Sequence, residues 1–415
     1  MHTTRRDFLR LGLGGFPLLA CGATVPTFLA NAANALAAEP RRDADGPILV
    51  VLQLDGGNDG LNTVAPYADD DYRKARPKLR LDAKAVVKID DHIGFHPALS
   101  PFAKLLESRQ LAVVQSVGYP NPQRSHFESM AIWHTANHDP KRDTPGWLAR
   151  GLDLKPPAAG TDVPALHVGA DPFPQSLVGS QRHVPSLTSL QQFRRRLGIP
   201  EGAGAREQRA ALDSLASEEH GKPGSLLQFV ERSAVLTYTS SARLETVAAG
   251  GAAGYPEFYG LAQRLRLVAQ LIKAGLSTSI YYTHLGGFDT HANQAGQHDN
   301  LLRELGASLQ AFLKDLGDAG HGKRVVVLVF SEFGRRLAEN ASAGTDHGTA
   351  APVFLLGSAV KSGVHGPYPN LRDLADGDPK FAIDFRRVYA TVLDRWLGCP
   401  SEKVLGEKFE PVPVL

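Results

Sequence analysis

Residues Pro47-Ile48-Leu49-Val50-Val51-Leu52-Gln53-Leu54 form a nearly unbroken apolar run of strand length, and this stretch constrains the fold more than any other. A strand with one wet face alternates apolar and polar residues, whereas a continuous apolar run needs cover on both faces. It is the expected central strand of a sheet sandwiched between helices. Further strand-like runs at 111–117, 165–168, 278–283, 325–330 and 353–356 are interspersed with helix-like stretches at 97–107, 259–274 and 298–316. Alternation of this kind predicts an α/β three-layer sandwich with a largely parallel central sheet. The stretch 191–254 reads differently. It is rich in Ala, Arg, Glu and Ser, with leucines at intermittent helical spacing, and is expected to be a helical insertion within one domain spanning 39–415; Gly250-Gly251-Ala252-Ala253-Gly254 closes it as a connector.

The amino-terminal segment stands apart from the fold. Thr3-Thr4-Arg5-Arg6-Asp7-Phe8-Leu9-Arg10 reads as a twin-arginine signal, and the apolar stretch after it is broken by Gly12, Gly14, Gly15, Pro17, Gly22 and Pro26. With Ala35-Leu36-Ala37 as a small-residue cleavage pattern, residues 1–38 are expected to be a removed address, which implies the twin-arginine export machinery as a partner and a periplasmic or secreted product. An uncleaved membrane anchor and lipidation at Cys21 are the alternatives; after cleavage no stable membrane span is expected. Cleavage would leave Cys399 as the one cysteine, so stability must come from the core. The formal charge of +2 includes the signal arginines, and Arg194-Arg195-Arg196 is too short a basic run to bind nucleic acid; no nucleic-acid partner is expected.

Four clusters of ionisable residues adjoin the strand-like runs. Asp55 follows the first run directly and precedes Gly56-Gly57-Asn58-Asp59-Gly60, where the chain can approach a ligand closely; Asp59 reads as a turn former. Asp289 and His291, just past Gly286-Gly287, share an Asp-x-His spacing that places both side chains on one ion only if the backbone is extended or turning. Glu332 follows the run ending at Phe330, and Asp346-His347-Gly348 precedes the run 353–356. In an open α/β sheet the loops at the carboxyl ends of the strands converge on one crevice. Asp55, Asp289, His291, Glu332 and His347 are therefore the candidate metal ligands, with Asp346 as the side chain that orients His347 or as a turn residue. Ser125 opens Ser125-His126-Phe127-Glu128, a capping box whose serine could cap exposed amides or, beside a metal ion, act as a nucleophile, with His126 next to it in support. Arg124 and Arg335 are candidates for pairing with an anionic oxygen of a substrate.

Taken in order, Leu54-Asp55-Gly56-Gly57-Asn58-Asp59-Gly60, Ser125-His126-Phe127, Gly286-Gly287-Phe288-Asp289-Thr290-His291, Ser331-Glu332-Phe333-Gly334-Arg335 and Gly344-Thr345-Asp346-His347-Gly348 resemble the exported bacterial family catalogued as domain of unknown function 1501, itself similar to the alkaline phosphatase and sulfatase superfamily. The resemblance implies an alkaline phosphatase-like fold, Asp55 and Glu332 near one metal position, Asp289, His291 and His347 near another, and Ser125 at the nucleophile position. One departure stands out: Phe333 lies where that superfamily usually has a nitrogen ligand. Oxygen ligands alone would favour Mg²⁺, Mn²⁺ or Ca²⁺, and the histidine-bearing position Zn²⁺ or Mn²⁺. The expected activity is metal-dependent hydrolysis of a phosphate or sulfate ester, with a small-molecule or glycan ester as substrate. A non-catalytic envelope or carbohydrate-associated binding protein on the same fold is the rival. A serine esterase ranks last, because no Gly-x-Ser-x-Gly elbow surrounds Ser125.

Overall fold

The computed structural model describes residues 46–141, 143–154, 164–182, 184–188, 254–276 and 278–415. Apart from Gly254, the signal at 1–38 and the insertion at 191–254 lie outside the described residues. Strand β1 (Ile48–Leu54) is buried along its whole length, and its side chains divide by parity. Ile48, Val50, Leu52 and Leu54 enter one apolar core, Leu49 and Val51 the other, as the two-residue period of a strand requires.

Around β1 the described residues build a nine-stranded sheet. Its other strands are β2 (Leu111–Gly118), β3 (Ala165–Val168), β4 (Ser186–Leu187), β5 (Ile280–Leu285) and β6 (Val325–Ser331). A hairpin of β7 (Arg335–Glu339) and β8 (Thr345–His347) stands outside the sheet. Back in the sheet come β9 (Ala351–Leu356) and β10 (Gly363–His365), followed by a second hairpin outside it, β11 (Leu374–Ala375) with β12 (Asp378–Pro379), and last β13 (Ile383–Asp384). The order is β10-β2-β9-β6-β1-β5-β3-β4, with β13 beside β2. β1 lies centrally and parallel to β5 (Val51↔Tyr282) and β6 (Val51↔Leu328). Among the described residues only β9 breaks the pattern, running antiparallel to β2 and β6. Because β9 is reversed, its first residues lie at the same end of the sheet as the last residues of β1, β5 and β6. His347, upstream of β9, thereby arrives at the crevice that Asp55, Asp289 and Glu332 reach from downstream of their strands.

Helices α1 (Ser100–Glu107), α2 (His126–Thr135), α3 (Trp147–Leu154), α4 (Gly260–Lys273), α5 (Gln294–Asp318) and α6 (Phe385–Thr391) cover the two faces. On one face α5 presents Leu302, Leu305, Leu309, Phe312 and Leu316, an i, i+3, i+4 stripe that faces inward along the helix. On the other, Trp133 of α2 stacks between Phe330 and Phe385, and Trp147 of α3 stacks on Tyr389, with centroids 4.0–5.0 Å apart. Burying each such large apolar side chain contributes about 1.5–3 kcal/mol. Among the described residues no helix is long and apolar enough to cross a membrane.

Several polar groups inside this core are paired. Asp59 reads as a turn former in the sequence, yet its carboxylate meets Arg76 Nη1 at 2.6 Å with both side chains fully buried. Arg76 further donates to the carbonyls of Leu337 and Arg336, each at 2.8 Å, tying the loop after β1 to β7. Gln294, at the start of α5, donates to Asp59 at 2.5 Å and accepts from Thr290 and Thr345. The loops after β1 and β5 and strand β8 thus share one buried scaffold. A second polar column runs through the sheet, in which His134 Nε2 lies 2.7 Å from Gln53 Oε1, while Tyr282 Oη donates to the same oxygen.

Burial holds several imidazoles neutral, with pKa values lowered to about 3 for His134 and about 4 for His167, His284 and His298. These folded values lie below the unfolded value of roughly 6.5, so on acidification the unfolded chain takes up protons first. Their contribution to stability is present above pH 6.5 and is lost as the pH falls towards 4, each fully developed proton difference being worth about 1.4 kcal/mol per pH unit. Asp55, raised to about 7 mainly by burial, opposes the trend, as do His126, raised by its hydrogen bond to Glu332, and Asp378, raised by burial. The urea midpoint should therefore fall steadily between pH 7 and pH 4; a flat profile in equilibrium unfolding would contradict neutral burial of these rings.

Candidate metal centre at the carboxyl ends of the strands

Two loops meet at the end of the sheet through backbone hydrogen bonds: Asp55 N donates to Leu285 O and Phe288 N to Asp55 O, both at 3.0 Å. The glycines here answer to crowding. Gly56 has φ +113° and a Cβ on it would overlap the Asp289 amide; Gly57 has φ +74° and a Cβ would enter the Phe333 ring. Only glycine combines positive φ with so close an approach. Arg335, buried at the start of β7, fastens the junction: Nε donates to Gly57 O at 2.7 Å, Nη1 to Thr345 O at 2.8 Å, and Nη2 to Phe288 O at 3.0 Å, to Asp289 Oδ1 at 2.8 Å and to Gly56 O.

The Asp289 carboxylate is the focus of three imidazoles. His291 Nε2 lies 3.0 Å, His347 Nε2 3.1 Å and His126 Nε2 3.5 Å from Asp289 Oδ1. On each ring the other nitrogen faces an acceptor: His347 Nδ1 is 2.7 Å from the Arg124 carbonyl, His291 Nδ1 3.3 Å from Asp346 Oδ1, and His126 Nδ1 2.8 Å from Glu332 Oε1. A carbonyl or carboxylate oxygen accepts only, so each Nδ1 carries a proton, and each ring turns its Nε2 towards the same Asp289 oxygen. Asp346 is held in place by Asn340 Nδ2 at 3.1 Å, the hydrogen bond that chiefly lowers its pKa. His291 Nε2 and His347 Nε2 stand 2.9 Å apart. Two ring nitrogens at that separation, both beside one acceptor-only carboxylate oxygen, call for a proton or a cation between them. Partial burial pushes the Asp289 pKa up, but the Arg335 and His347 hydrogen bonds outweigh it and bring it down to about 2. Phe333 is buried against the rings of His126 and His347, with centroids 4.9 and 4.8 Å away.

The structure thus brings Asp289, His291, His347, Asp346 and His126 together. Glu332 touches this group through His126. Asp55 is drawn the other way, accepting from Gln53 Nε2 and so joining the column of His134 and Tyr282. Both arginines differ from the expectation of substrate contact. The Arg124 guanidinium is turned to Asp378, at 2.9 and 2.5 Å, and to Asp376, at 2.8 Å, while Arg335 spends its donors on carbonyls and Asp289. The capping box at Ser125 also differs: Ser125 is the N-cap of α2 by backbone conformation, but its side chain makes no capping hydrogen bond. It sits between the Arg124 carbonyl on His347 and the ring of His126. Gln53 and His134 were missed by sequence reasoning because a glutamine in an apolar strand and a histidine inside a helix carry no motif.

The chain matches the model of a family described as protein of unknown function (DUF1501) over residues 47–407, and it belongs to that family. No curated protein matches it. Among solved structures it is similar to the PsFucS1 sulfatase from Pseudoalteromonas sp., at 11% identity and TM-score 0.36 over 93% of this chain and 72% of that one. It is also similar to the lipoteichoic acid synthase LtaP from Listeria monocytogenes, at 10% identity and TM-score 0.32 over 79% and 70% of the two chains. The alkaline phosphatase of the Antarctic bacterium TAB5 is similar at 12% identity and TM-score 0.32, over 75% of this chain and 92% of that one.

Because Phe333 is fully buried, Phe333→Ala should cost about 3–5 kcal/mol of stability, measured by thermal or urea unfolding. A loss below about 1 kcal/mol would show that the ring is not the wall against which the imidazoles are held.

Proposed function

We propose that this member of the DUF1501 family is a metal-dependent hydrolase of phosphate or sulfate esters, exported to the periplasm by the twin-arginine machinery. The observation that carries the reading is the approach of the His291 and His347 Nε2 atoms to each other and to Asp289 Oδ1, with both Nδ1 atoms anchored on acceptors. The donor set of imidazole nitrogens and one carboxylate oxygen fits a borderline divalent ion such as Zn²⁺ or Mn²⁺ better than Mg²⁺ or Ca²⁺. The anchors on Nδ1 are the outer partners that fix ligand tautomers in such sites. A divalent ion there supplies charge to the ester oxygens and lowers the pKa of a nearby hydroxyl.

The protein's own groups divide the remaining work. Ser125 supplies the attacking oxygen, from the head of α2, where backbone amides favour developing negative charge. His347 and His291 keep their Nδ1 protons on Arg124 O and Asp346, so they act as fixed donors of electron pairs. Arg335, charged and buried, holds Asp289 ionised and in place. The substrate class is a small-molecule or glycan ester.

His291→Ala should abolish stoichiometric binding of Zn²⁺ or Mn²⁺ and hydrolysis of aryl phosphate or sulfate esters, while the melting temperature of the ion-free protein stays within a few degrees of the parent. Elemental analysis and calorimetry read both quantities. Full ion content in the variant would remove His291 from the site, and ion binding without turnover on phosphate monoester, diester and sulfate substrates would favour a binding protein.

A further inference from the structure

We infer that His126 is a third nitrogen ligand of the proposed ion, and that Glu332 is a positioning residue that fixes the His126 ring; the inference rests on the metal-site reading above. Glu332 is buried and turned inward. Its Oε1 accepts from Gly56 N at 2.9 Å and faces His126 Nδ1 at 2.8 Å, and its Oε2 accepts from Ser331 Oγ at 2.9 Å. A carboxylate engaged by so many donors has its lone pairs committed to the protein. Its effect on His126 is to hold the proton on Nδ1, so that Nε2 is the nitrogen left to meet a cation.

That Nε2 atom is buried and has no hydrogen-bond partner, a costly state for a polar atom unless something else meets it. It points at the Asp289 carboxylate, 3.5 Å away, and the ligand atoms of His126, Asp289 and His347 all lie within 4.8 Å of one another. Ligand atoms around one tetrahedral zinc ion stand about 3.3–3.5 Å apart, given bonds of roughly 2.0–2.1 Å. The ring has little room to swing, being packed against Phe333 at 4.9 Å and His347 at 4.3 Å between centroids. Three imidazole nitrogens and one carboxylate oxygen make a nitrogen-rich site. Since His126 directly follows Ser125, one short stretch of backbone delivers both a ligand and the attacking hydroxyl.

The test uses the full chain loaded with Cu²⁺ for electron paramagnetic resonance, with Zn²⁺ affinity measured by chelator competition. The wild-type nitrogen hyperfine pattern should require three imidazoles, and that of His126→Ala two. Zn²⁺ affinity should fall about 10–100-fold in Glu332→Gln, the range for loss of an outer partner, and further in His126→Ala. Two nitrogens in wild type, or a His126→Ala pattern identical to wild type, would overturn the inference and leave the site of Asp289, His291 and His347 standing; His126 would then be an imidazolium paired with Asp289. A wild-type protein that binds neither ion overturns the inference together with the reading beneath it. The wild-type spectrum decides the matter even if His126→Ala fails to fold.

Discussion

The crevice is fastened by a buried cation, Arg335. Arg335 has no exposed side-chain surface, and a guanidinium in that position is tolerable only if every donor finds an acceptor and a carboxylate balances its charge. Three backbone segments provide the acceptors, through Gly56 and Gly57, Phe288, and Thr345. Asp289 provides the charge. The same carboxylate oxygen is the point on which the imidazoles converge. Charge balance in the core and the convergence of the imidazoles near the surface are therefore met by one residue, and moving Asp289 away would strand Arg335 as well as the histidines.

Much of the scaffold was legible in the sequence because burial leaves a pattern. The uninterrupted run at 48–54 implied cover on both faces, and β1 has it. The helix expected at 298–316 lies within α5, whose first turn begins earlier, at Gln294. Periodicity did not reveal that residue's part, since Gln294 is held by polar contacts to Asp59, Thr290 and Thr345 rather than by an apolar stripe. The reversed direction of β9 was likewise invisible, because a buried strand reads the same either way along the chain. Its reversal accounts for a cluster that precedes its strand while the others follow theirs.

The candidate site was legible as a set of residue types and only partly as a set of contacts. Asp289, His291 and His347 are adjacent in space, in line with the Asp-x-His spacing and the strand-end argument. The sequence could not distinguish a carboxylate that faces the crevice from one that faces a backbone amide, which is what separates Asp289 from Glu332. Nor could it show that Arg124 contributes its carbonyl to His347 while its guanidinium is spent on Asp376 and Asp378. Such partners come from segments far away in sequence, where no local spacing rule applies.

That separation has a bearing on how the molecule matures. The hydrogen bond from His347 to Arg124 spans 223 positions, and that from His126 to Glu332 spans 206. Contacts of this range form only after the loop entropy of the intervening chain has been overcome, late in the assembly of a sheet whose neighbouring strands are themselves distant in sequence. No fragment and no half-built sheet can present the three imidazoles to Asp289 at once. The cluster thus comes together only when segments running from residue 126 to residue 347 have met.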